Sequence, residues 1–155
     1  MQTVEIENRV LEEQQTAAMF ARLPVDAIGP WLAEAFRDIA AYLSKYGVGP
    51  VGMPYARYHR LDDGRFEIEA GFPASTPVPG EGQVEPSELP GGTVAVAIHV
   101  GPYDAMGPTY EALASWVRDS GAEPMGDAWE VYFSDPAVEP DPSRWRTEIV
   151  QPIGR

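Results

Sequence analysis

The run Trp129-Glu130-Val131-Tyr132-Phe133 places one carboxylate, Glu130, among aromatic and β-branched residues. Such a run predicts a β-strand, in which side chains alternate between two faces. Glu130 then shares a face with Tyr132, and Trp129 and Val131 take the other face. Glutamates are usually exposed, so one interpretation is a solvent-facing residue. The other is a ligand-facing anion, which beside aromatic rings would suit a lipophilic cation.

A second carboxylate, Glu148, lies in the run Trp145–Pro152, which follows a loop from Asp135 to Ser143. If the two runs form a hairpin, Glu130 and Glu148 lie on adjacent strands and could share one face. The two charges would then repel each other, and one carboxyl could hold a raised pKa. Such a pair receives a cationic ligand or supplies acid/base chemistry. The alternative for Glu148 is a surface charge at a sheet edge.

Aromatic side chains are numerous enough to form a wall beside these carboxylates. Most of them are expected to be ordinary core residues, Trp116 and Trp129 above all. Tyrosines 55, 58 and 110 carry hydroxyls that need partners, so they suit a cleft better. The candidate ligand-binding residues are therefore Glu130, Glu148, Trp31, Tyr55, Tyr58, Tyr110 and Trp145.

The composition excludes several other chemistries. Among 155 residues there is no cysteine and there are two histidines, which argues against a disulfide framework, a thiolate zinc site and a cysteine nucleophile. Neither a phosphate-binding glycine loop nor metal-ligand spacing is present, so no metal and no cofactor are expected. His99, flanked by apolar residues, is expected to be a packed or hydrogen-bonded histidine.

The charge and hydropathy patterns bear on partners and location. A net charge of −13, from 24 acidic and 11 basic residues, disfavours direct contact with nucleic acid. No signal peptide and no apolar run of membrane-spanning length is evident. We therefore expect a cytoplasmic protein without membrane association.

The elements that must position these residues occur twice. Residues 16–59 and 93–133 both run from an apolar strand through a proline-containing turn and an Asp-Ala pair into an amphipathic helix. Both helices end near a glycine, and each is followed by an aromatic strand and one further strand. In this alignment the counterpart of Glu130 is Ala56, so the fold does not require a charge at that position.

The repeat predicts one α+β domain over residues 1–155. Its first repeat covers about residues 1–73 and opens with an extra strand from Val4 to Val10. A solvated linker rich in Pro, Gly and Glu follows at residues 74–92, and the second repeat covers residues 93–155. The duplicated strand–helix–strand–strand units should form an antiparallel sheet with the two main helices on one face. A central cleft at the pseudo-two-fold seam is the expected ligand site.

Three motifs of the second repeat occur in a specific order. They are Gly101-Pro102-Tyr103, the strand Trp129–Tyr132 with its downstream Asp135-Pro136, and Thr147–Pro152. In this order they resemble the GyrI-like superfamily, the effector-binding domain of AraC-type and MerR-type multidrug regulators. With the weaker first repeat included, the resemblance covers nearly the whole chain. It implies a duplicated fold whose cleft binds hydrophobic, often cationic, compounds, with Glu130 in the cleft and Glu148 near it.

The resemblance and the Glu130/Ala56 asymmetry together predict a stand-alone protein that binds or sequesters lipophilic, cationic small molecules. The chain carries no helix-turn-helix segment, so transcriptional regulation by this chain alone is not expected. The first alternative is a hydrolase of cyclopropane-containing toxins, with Glu130 as base or nucleophile and a tyrosine as acid. The second is an acidic protein–protein inhibitor of the gyrase-inhibitor type, whose charge would meet a basic partner and whose binding salt would screen.

Overall fold

The computed structural model describes residues 4–154 as a mixed α and β protein with antiparallel strands and two main helices. Its contacts divide into two compact units. Unit A is Glu12–Gly91, and unit B combines the described residues up to Leu11 with those from Gly92 onward. Neither helix within residues 4–154 is long and apolar enough to cross a membrane.

The described residues 4–154 form nine strands and two α-helices. In chain order they are β1 (Glu5–Leu11), β2 (Gln14–Leu23), α1 (Ile28–Lys45), β3 (Tyr55–Arg60), β4 (Phe66–Pro73), β5 (Glu85–Leu89), β6 (Gly92–Val100), α2 (Gly107–Asp119), β7 (Glu123–Pro124), β8 (Trp129–Tyr132) and β9 (Arg146–Gly154).

Unit A pairs its strands in the order β3-β4-β2-β5, all antiparallel. Helix α1 buries Ala35, Ile39 and Leu43, whose spacing of three to four residues makes one apolar stripe. The stripe packs against small strand residues, among them Ala17 and Ala70. The helix gives way to a turn at Gly47, whose φ of 67° is the left-handed conformation that favours glycine at this position.

Residues 74–92 are not the solvated linker that their composition predicts. Val78 and Val84 are buried in the core of unit A, and β5 pairs with β2. Proline in β5 is compatible with this role because Pro86 lies on the outer strand of the unit, where one missing N–H costs little. A short outer strand rich in Pro and Glu has the composition of a linker. Its pairing with another strand is what identifies it as a strand.

Unit B pairs its strands in the order β1-β6-β9-β8, and β7 adds to β9. Helix α2 buries Leu113 and Val117 against Ala97 and Ile149 of the sheet. The extra strand predicted at Val4–Val10 is found at Glu5–Leu11. Its assignment to the first repeat is wrong, because β1 pairs with β6 along its whole length.

The two units share one element order and one pairing order. In unit A the sequence strand–helix–strand–strand is β2-α1-β3-β4, with β4 between its two partners. In unit B it is β6-α2-β8-β9, with β9 in the same middle position. Each unit adds one outer strand, β5 beside β2 and β1 beside β6.

Candidate functional site

Glu130 is buried in unit B, with 8% of its surface exposed. In the β8–β9 pair it lies directly opposite Ile149, which packs in the core beneath α2. Opposed residues of antiparallel strands point to the same side of a sheet, so Glu130 faces the helix side. The solvent-facing interpretation of Glu130 is therefore wrong.

Two phenol hydroxyls hold the Glu130 carboxylate. Tyr132, two residues along β8 on the same face, donates to Oε1 at 2.7 Å. Tyr110, on the first turns of α2, donates to Oε2. A buried carboxylate is costly unless it accepts hydrogen bonds, and here each oxygen accepts one from a tyrosine. The helix and the strand together thus fix the position of the charge.

An aromatic pair extends this arrangement toward solvent. Tyr103 stacks on Trp145 with ring centroids 4.9 Å apart, and its ring meets Tyr132 edge-on at 5.6 Å. Tyr103 remains 39% exposed, whereas Trp145 is half-buried. We call the five residues Glu130, Tyr103, Tyr110, Tyr132 and Trp145 the Glu130 cluster.

The electrostatic environment of the cluster is negative. Burial raises the pKa of Tyr103, and the nearby charges of Glu130 and Asp135 raise it further. Tyr103 is therefore a neutral phenol at physiological pH, and its ring stays a neutral contact surface. An aromatic surface beside a buried carboxylate attracts positive charge.

Trp145 and His99 hold the two loops that carry the rings. The indole Nε1 of Trp145 donates to the backbone oxygen of Glu139 at 2.7 Å, which closes the loop between β8 and β9. The prediction of a hydrogen-bonded His99 is confirmed. Its Nε2 lies 3.0 Å from the backbone oxygen of Pro102, and its Nδ1 lies 2.9 Å from the hydroxyl of Thr109. Because a carbonyl only accepts, Nε2 is the donor there.

The predicted hairpin that joins Glu130 and Glu148 is confirmed, but the two carboxylates do not share a face. The register places Glu148 opposite Val131 and Glu130 opposite Ile149. Side chains one position apart on a strand point to opposite sides of the sheet. Glu148 therefore lies on the side away from Glu130, and the predicted carboxylate pair is not formed.

Arginines rather than a second carboxylate surround Glu148. Arg9 donates to both oxygens, at 2.8 and 3.2 Å, and Arg146 donates to Oε2 at 3.0 Å. Burial on its own would raise the pKa of Glu148. The hydrogen bonds and charges of Arg9 and Arg146 outweigh burial and lower the pKa below its usual value. The expectation of a raised pKa is wrong for this residue.

The remaining candidates lie in unit A. Tyr55 is 1% exposed, and its hydroxyl donates to Glu69 and lies 2.9 Å from Oγ1 of Thr16. These contacts favour a structural role for Tyr55 within its own unit. Tyr58 is half-buried on β3, and Trp31 packs from α1 against the core of unit A. Of the candidate residues, the structure brings together Glu130, Tyr110 and, through Tyr103, Trp145.

Tyr103 and Tyr132 were not among the predicted site residues. For Tyr132 the signal is strand parity, because a residue two positions from Glu130 must share its face. For Tyr103 the signal is the Gly101-Pro102-Tyr103 turn. The turn marks the position of the ring in the sequence but does not predict which residue the ring contacts. The stacking on Trp145 joins residues from separate loops, so no local pattern predicts it.

Comparison with known proteins identifies the family. A family model described as the GyrI-like small molecule binding domain matches residues 4–153. No curated protein sequence matches the chain.

Solved structures with the same fold include a DNA-bound protein. The EcmrR C-terminal domain has a TM-score of 0.81 at 20% identity, over 99% of both chains. The EcmrR–DNA complex in EcmrR-RPo has a TM-score of 0.80 at 20% identity, over 98% of this chain. This chain spans only 58% of the length of EcmrR in that complex.

Two further structures carry names that bear on ligands and chemistry. SAV2435 bound to tetraphenylphosphonium has a TM-score of 0.68 at 11% identity, over 97% of this chain and 94% of that one. A hydrolase from Listeria innocua has a TM-score of 0.70 at 15% identity, over 97% of this chain and 92% of that one. At these identities the likeness shows a shared fold alone.

Proposed function

Because the chain belongs to the GyrI-like family of small-molecule binding domains, we propose that it binds lipophilic organic cations at the Glu130 cluster. The observation that carries this proposal is a buried carboxylate adjoining a stacked aromatic pair whose outer ring, Tyr103, is 39% exposed. Charge and aromatic surface thus lie together at one place in unit B. SAV2435, which has the same fold and was solved with tetraphenylphosphonium bound, adds support at the level of the fold.

The hydrogen bonding of Glu130 favours one type of cation. Both carboxylate oxygens already accept a bond from a phenol, Tyr110 or Tyr132. A ligand therefore needs no N–H group to satisfy them. A permanent cation without donors, such as a phosphonium or quaternary ammonium, keeps these bonds intact and gains the field of the carboxylate. Delocalised charge also lowers the cost of removing the cation from water.

We further propose that the two units arose by internal duplication and that only unit B acquired a carboxylate at the strand position of Glu130. The shared element and pairing orders support this origin. Ala56, the counterpart of Glu130, is fully buried opposite Ala70. A small apolar pair in one unit thus corresponds to Glu130 and Ile149 in the other. Because unit A forms the same strand pairing without a carboxylate at this position, the pairing does not require Glu130. We therefore assign Glu130 a functional role and not a structural one.

Titration with tetraphenylphosphonium tests the binding proposal. We expect Glu130→Gln to weaken binding at least about tenfold, which corresponds to about 1.4 kcal/mol. The matched control is Glu69→Gln, because Glu69 is also 8% exposed and also accepts from a tyrosine, but lies in unit A. That control should bind like the wild type. Tetraphenylborate, which has the same shape and the opposite charge, should not bind.

Equal affinity of the wild type and Glu130→Gln for the phosphonium would show that Glu130 does not act as the binding anion. Equal affinity for phosphonium and borate would show that shape alone governs binding. Both results would overturn the proposal as stated.

A hydrolase is the second candidate, and the two phenols on Glu130 favour it. A carboxylate that acts as base or nucleophile needs a nearby acid, and Tyr110 and Tyr132 place hydroxyls on it directly. Water attack on a strained cyclopropane would transfer a proton from water to Glu130, and a phenol would protonate the opened ring. Incubation with a cyclopropane-containing electrophile distinguishes the two functions. Product beyond one equivalent of protein, lost in Glu130→Gln, supports the hydrolase, and its absence supports a binding protein.

A further inference from the structure

Strand β1 forms the outer edge of the sheet of unit B. Within residues 4–154 it pairs only with β6, and no backbone bond to its other edge is found there. Its seven residues, Glu5–Leu11, contain no proline or glycine. Val10 on this strand is 81% exposed. An outer strand of this kind offers a row of N–H and C=O groups to another strand.

The outer strand of unit A differs in this respect. β5 has five residues and includes Pro86, which has no N–H to donate. Short length and proline are common protections against edge pairing. β1 has neither protection, so the two outer strands are not equivalent.

The central part of β1, residues 6–10, is complementary to itself. In an antiparallel pair of identical strands related by a two-fold axis, one residue lies opposite its own copy. Centring the axis on Asn8 pairs all seven residues and places Glu7 opposite Arg9 and Ile6 opposite Val10, each pair twice. Opposite charges and apolar side chains that face each other across strands are stabilising.

Neighbouring registers lack this complementarity. Centring the axis on Glu7 or Arg9 places that residue opposite its own copy, so two like charges meet at the axis. Like charges directly opposite each other are destabilising. Registers that place residues of unlike parity opposite each other are excluded, since their outward N–H and C=O groups would not meet. The charge pattern therefore selects the Asn8 register.

The side chains of β1 are already arranged for this pairing. Glu7 accepts from Nε and Nη2 of Arg9, at 3.1 and 2.6 Å, and Glu148 holds the same guanidinium from within the sheet. In the dimer, each Arg9 would face the Glu7 of the second copy as well as its own Glu7 and Glu148. On the other face, Ile6 packs against the core of unit B, and the exposed Val10 of the second copy would lie beside it.

We propose that a second copy of this chain pairs with β1 edge to edge, antiparallel, about a two-fold axis at Asn8. The sheet of unit B then continues into the same sheet of the partner. This inference does not depend on which ligand the Glu130 cluster binds, because Asn8 and its neighbours lie on a different strand.

Single cysteines test the register, since the chain has none of its own. In the proposed dimer the Asn8→Cys positions lie opposite each other, with Cα atoms about 4.5–5.5 Å apart, within the reach of a disulfide. We expect mild oxidation of this variant to give a covalent dimer. A mixture of Ile6→Cys and Val10→Cys should cross-link to a mixed dimer. Each of these two alone should not, because identical positions are then four residues apart, about 13 Å.

Sedimentation velocity of cysteine-free variants gives the second test. Val10→Lys removes both Ile6–Val10 contacts and adds a charge at the edge, so we expect dimerisation to weaken about tenfold. Because Val10 is 81% exposed, thermal unfolding of the monomer should be unchanged, which separates loss of pairing from loss of folding. A monomeric wild type at all concentrations overturns the proposal. Equal cross-linking of Ile6→Cys, Asn8→Cys and Val10→Cys in separate samples overturns the register.

Discussion

Tyr132 donates its hydroxyl to Glu130, two residues earlier on the same strand, at 2.7 Å. The two side chains share a face of β8, so the strand itself holds a donor beside the carboxylate. The second donor, Tyr110, reaches the same carboxylate from α2. One contact is fixed by local geometry and the other by the packing of helix on sheet, which makes the two tyrosines separable by mutation.

Removal of the helix-borne donor should destabilise the protein. In Tyr110→Phe one oxygen of a buried carboxylate loses its phenol donor, and a hydrogen bond to a charged group contributes about 1.5–3 kcal/mol. We expect the free energy of unfolding, measured by urea denaturation, to fall by that amount. Tyr46→Phe is the control, because Tyr46 is 42% exposed and should cost less than about 0.5 kcal/mol. Similar losses in both variants would contradict a specific role for the Tyr110 hydroxyl.

The ring of Tyr103, rather than its hydroxyl, should matter for binding. Tyr103→Ala removes the stack on Trp145 and the edge contact with Tyr132, and we expect tetraphenylphosphonium to bind about tenfold more weakly. Tyr103→Phe keeps the ring and should bind like the wild type. Calorimetric titration of the two variants makes the comparison. If Phe and Ala weaken binding equally, the hydroxyl and not the aromatic surface is the important group.

Acid should lower the folding stability of the protein in part by protonating Glu148. Its pKa is lowered in the folded state, so its ion pairs with Arg9 and Arg146 contribute stability that is fully present above the unfolded pKa of about 4.3. That contribution is lost as pH falls through the lower folded pKa. In Glu148→Gln we expect lower stability at pH 7 and a smaller decline with acid. Urea denaturation between pH 7 and pH 3 measures both.

The control for the acid experiment is an exposed ion pair. Glu67 lies 3.3 Å from Arg22 with 41% of its side chain exposed, so Glu67→Gln should change stability by less than about 1 kcal/mol at any pH. An acid dependence in Glu148→Gln that matches the wild type would show that other carboxylates govern acid unfolding.

Two glycine substitutions should have opposite signs. Gly101 has a φ of 138°, which an alanine adopts only with strain, and it precedes the turn that carries Tyr103. We expect Gly101→Ala to cost about 1–3 kcal/mol and to weaken phosphonium binding. Gly29, in the first turn of α1, has open space around it, so Gly29→Ala should be neutral or stabilising by up to about 1 kcal/mol. Thermal unfolding of both variants tests the contrast, and destabilisation by Gly29→Ala would contradict it.

Local patterns in the sequence predict the parts of the site that one strand or one pair of consecutive strands determines. The face shared by Glu130 and Tyr132 follows from alternation, and the pairing of their strand with that of Glu148 follows because the two strands are consecutive in the chain. The register does not follow from these patterns. A shift of one residue moves a side chain to the other face, so the pairing alone is compatible with Glu148 beside Glu130, whereas the actual register separates them.

Pairings between segments that are distant in the chain are the second feature of the fold that the sequence does not predict. β1 joins β6, and β5 within the proline-rich segment joins β2. Both are outer strands with a single partner in their own unit, so their apolar pattern is weak and their composition is that of a surface segment. The sequence predicts β1 as a strand but not its partner, and for β5 only the hydrogen-bonded partner distinguishes the strand from a linker.

His99 has a consequence for how the proposed site at the Glu130 cluster would bind a ligand. One of its nitrogens holds Pro102, the residue before Tyr103, and the other holds Thr109, the residue before Tyr110. A single buried imidazole thus sets the spacing of two tyrosines that belong to different elements. The contacts of His99 hold the two tyrosines in place before a ligand binds. A bound molecule therefore does not have to order these rings itself, and less of its binding energy is lost to conformational entropy. Ligands should therefore be discriminated by their size and charge, because the spacing of the rings is set before they arrive.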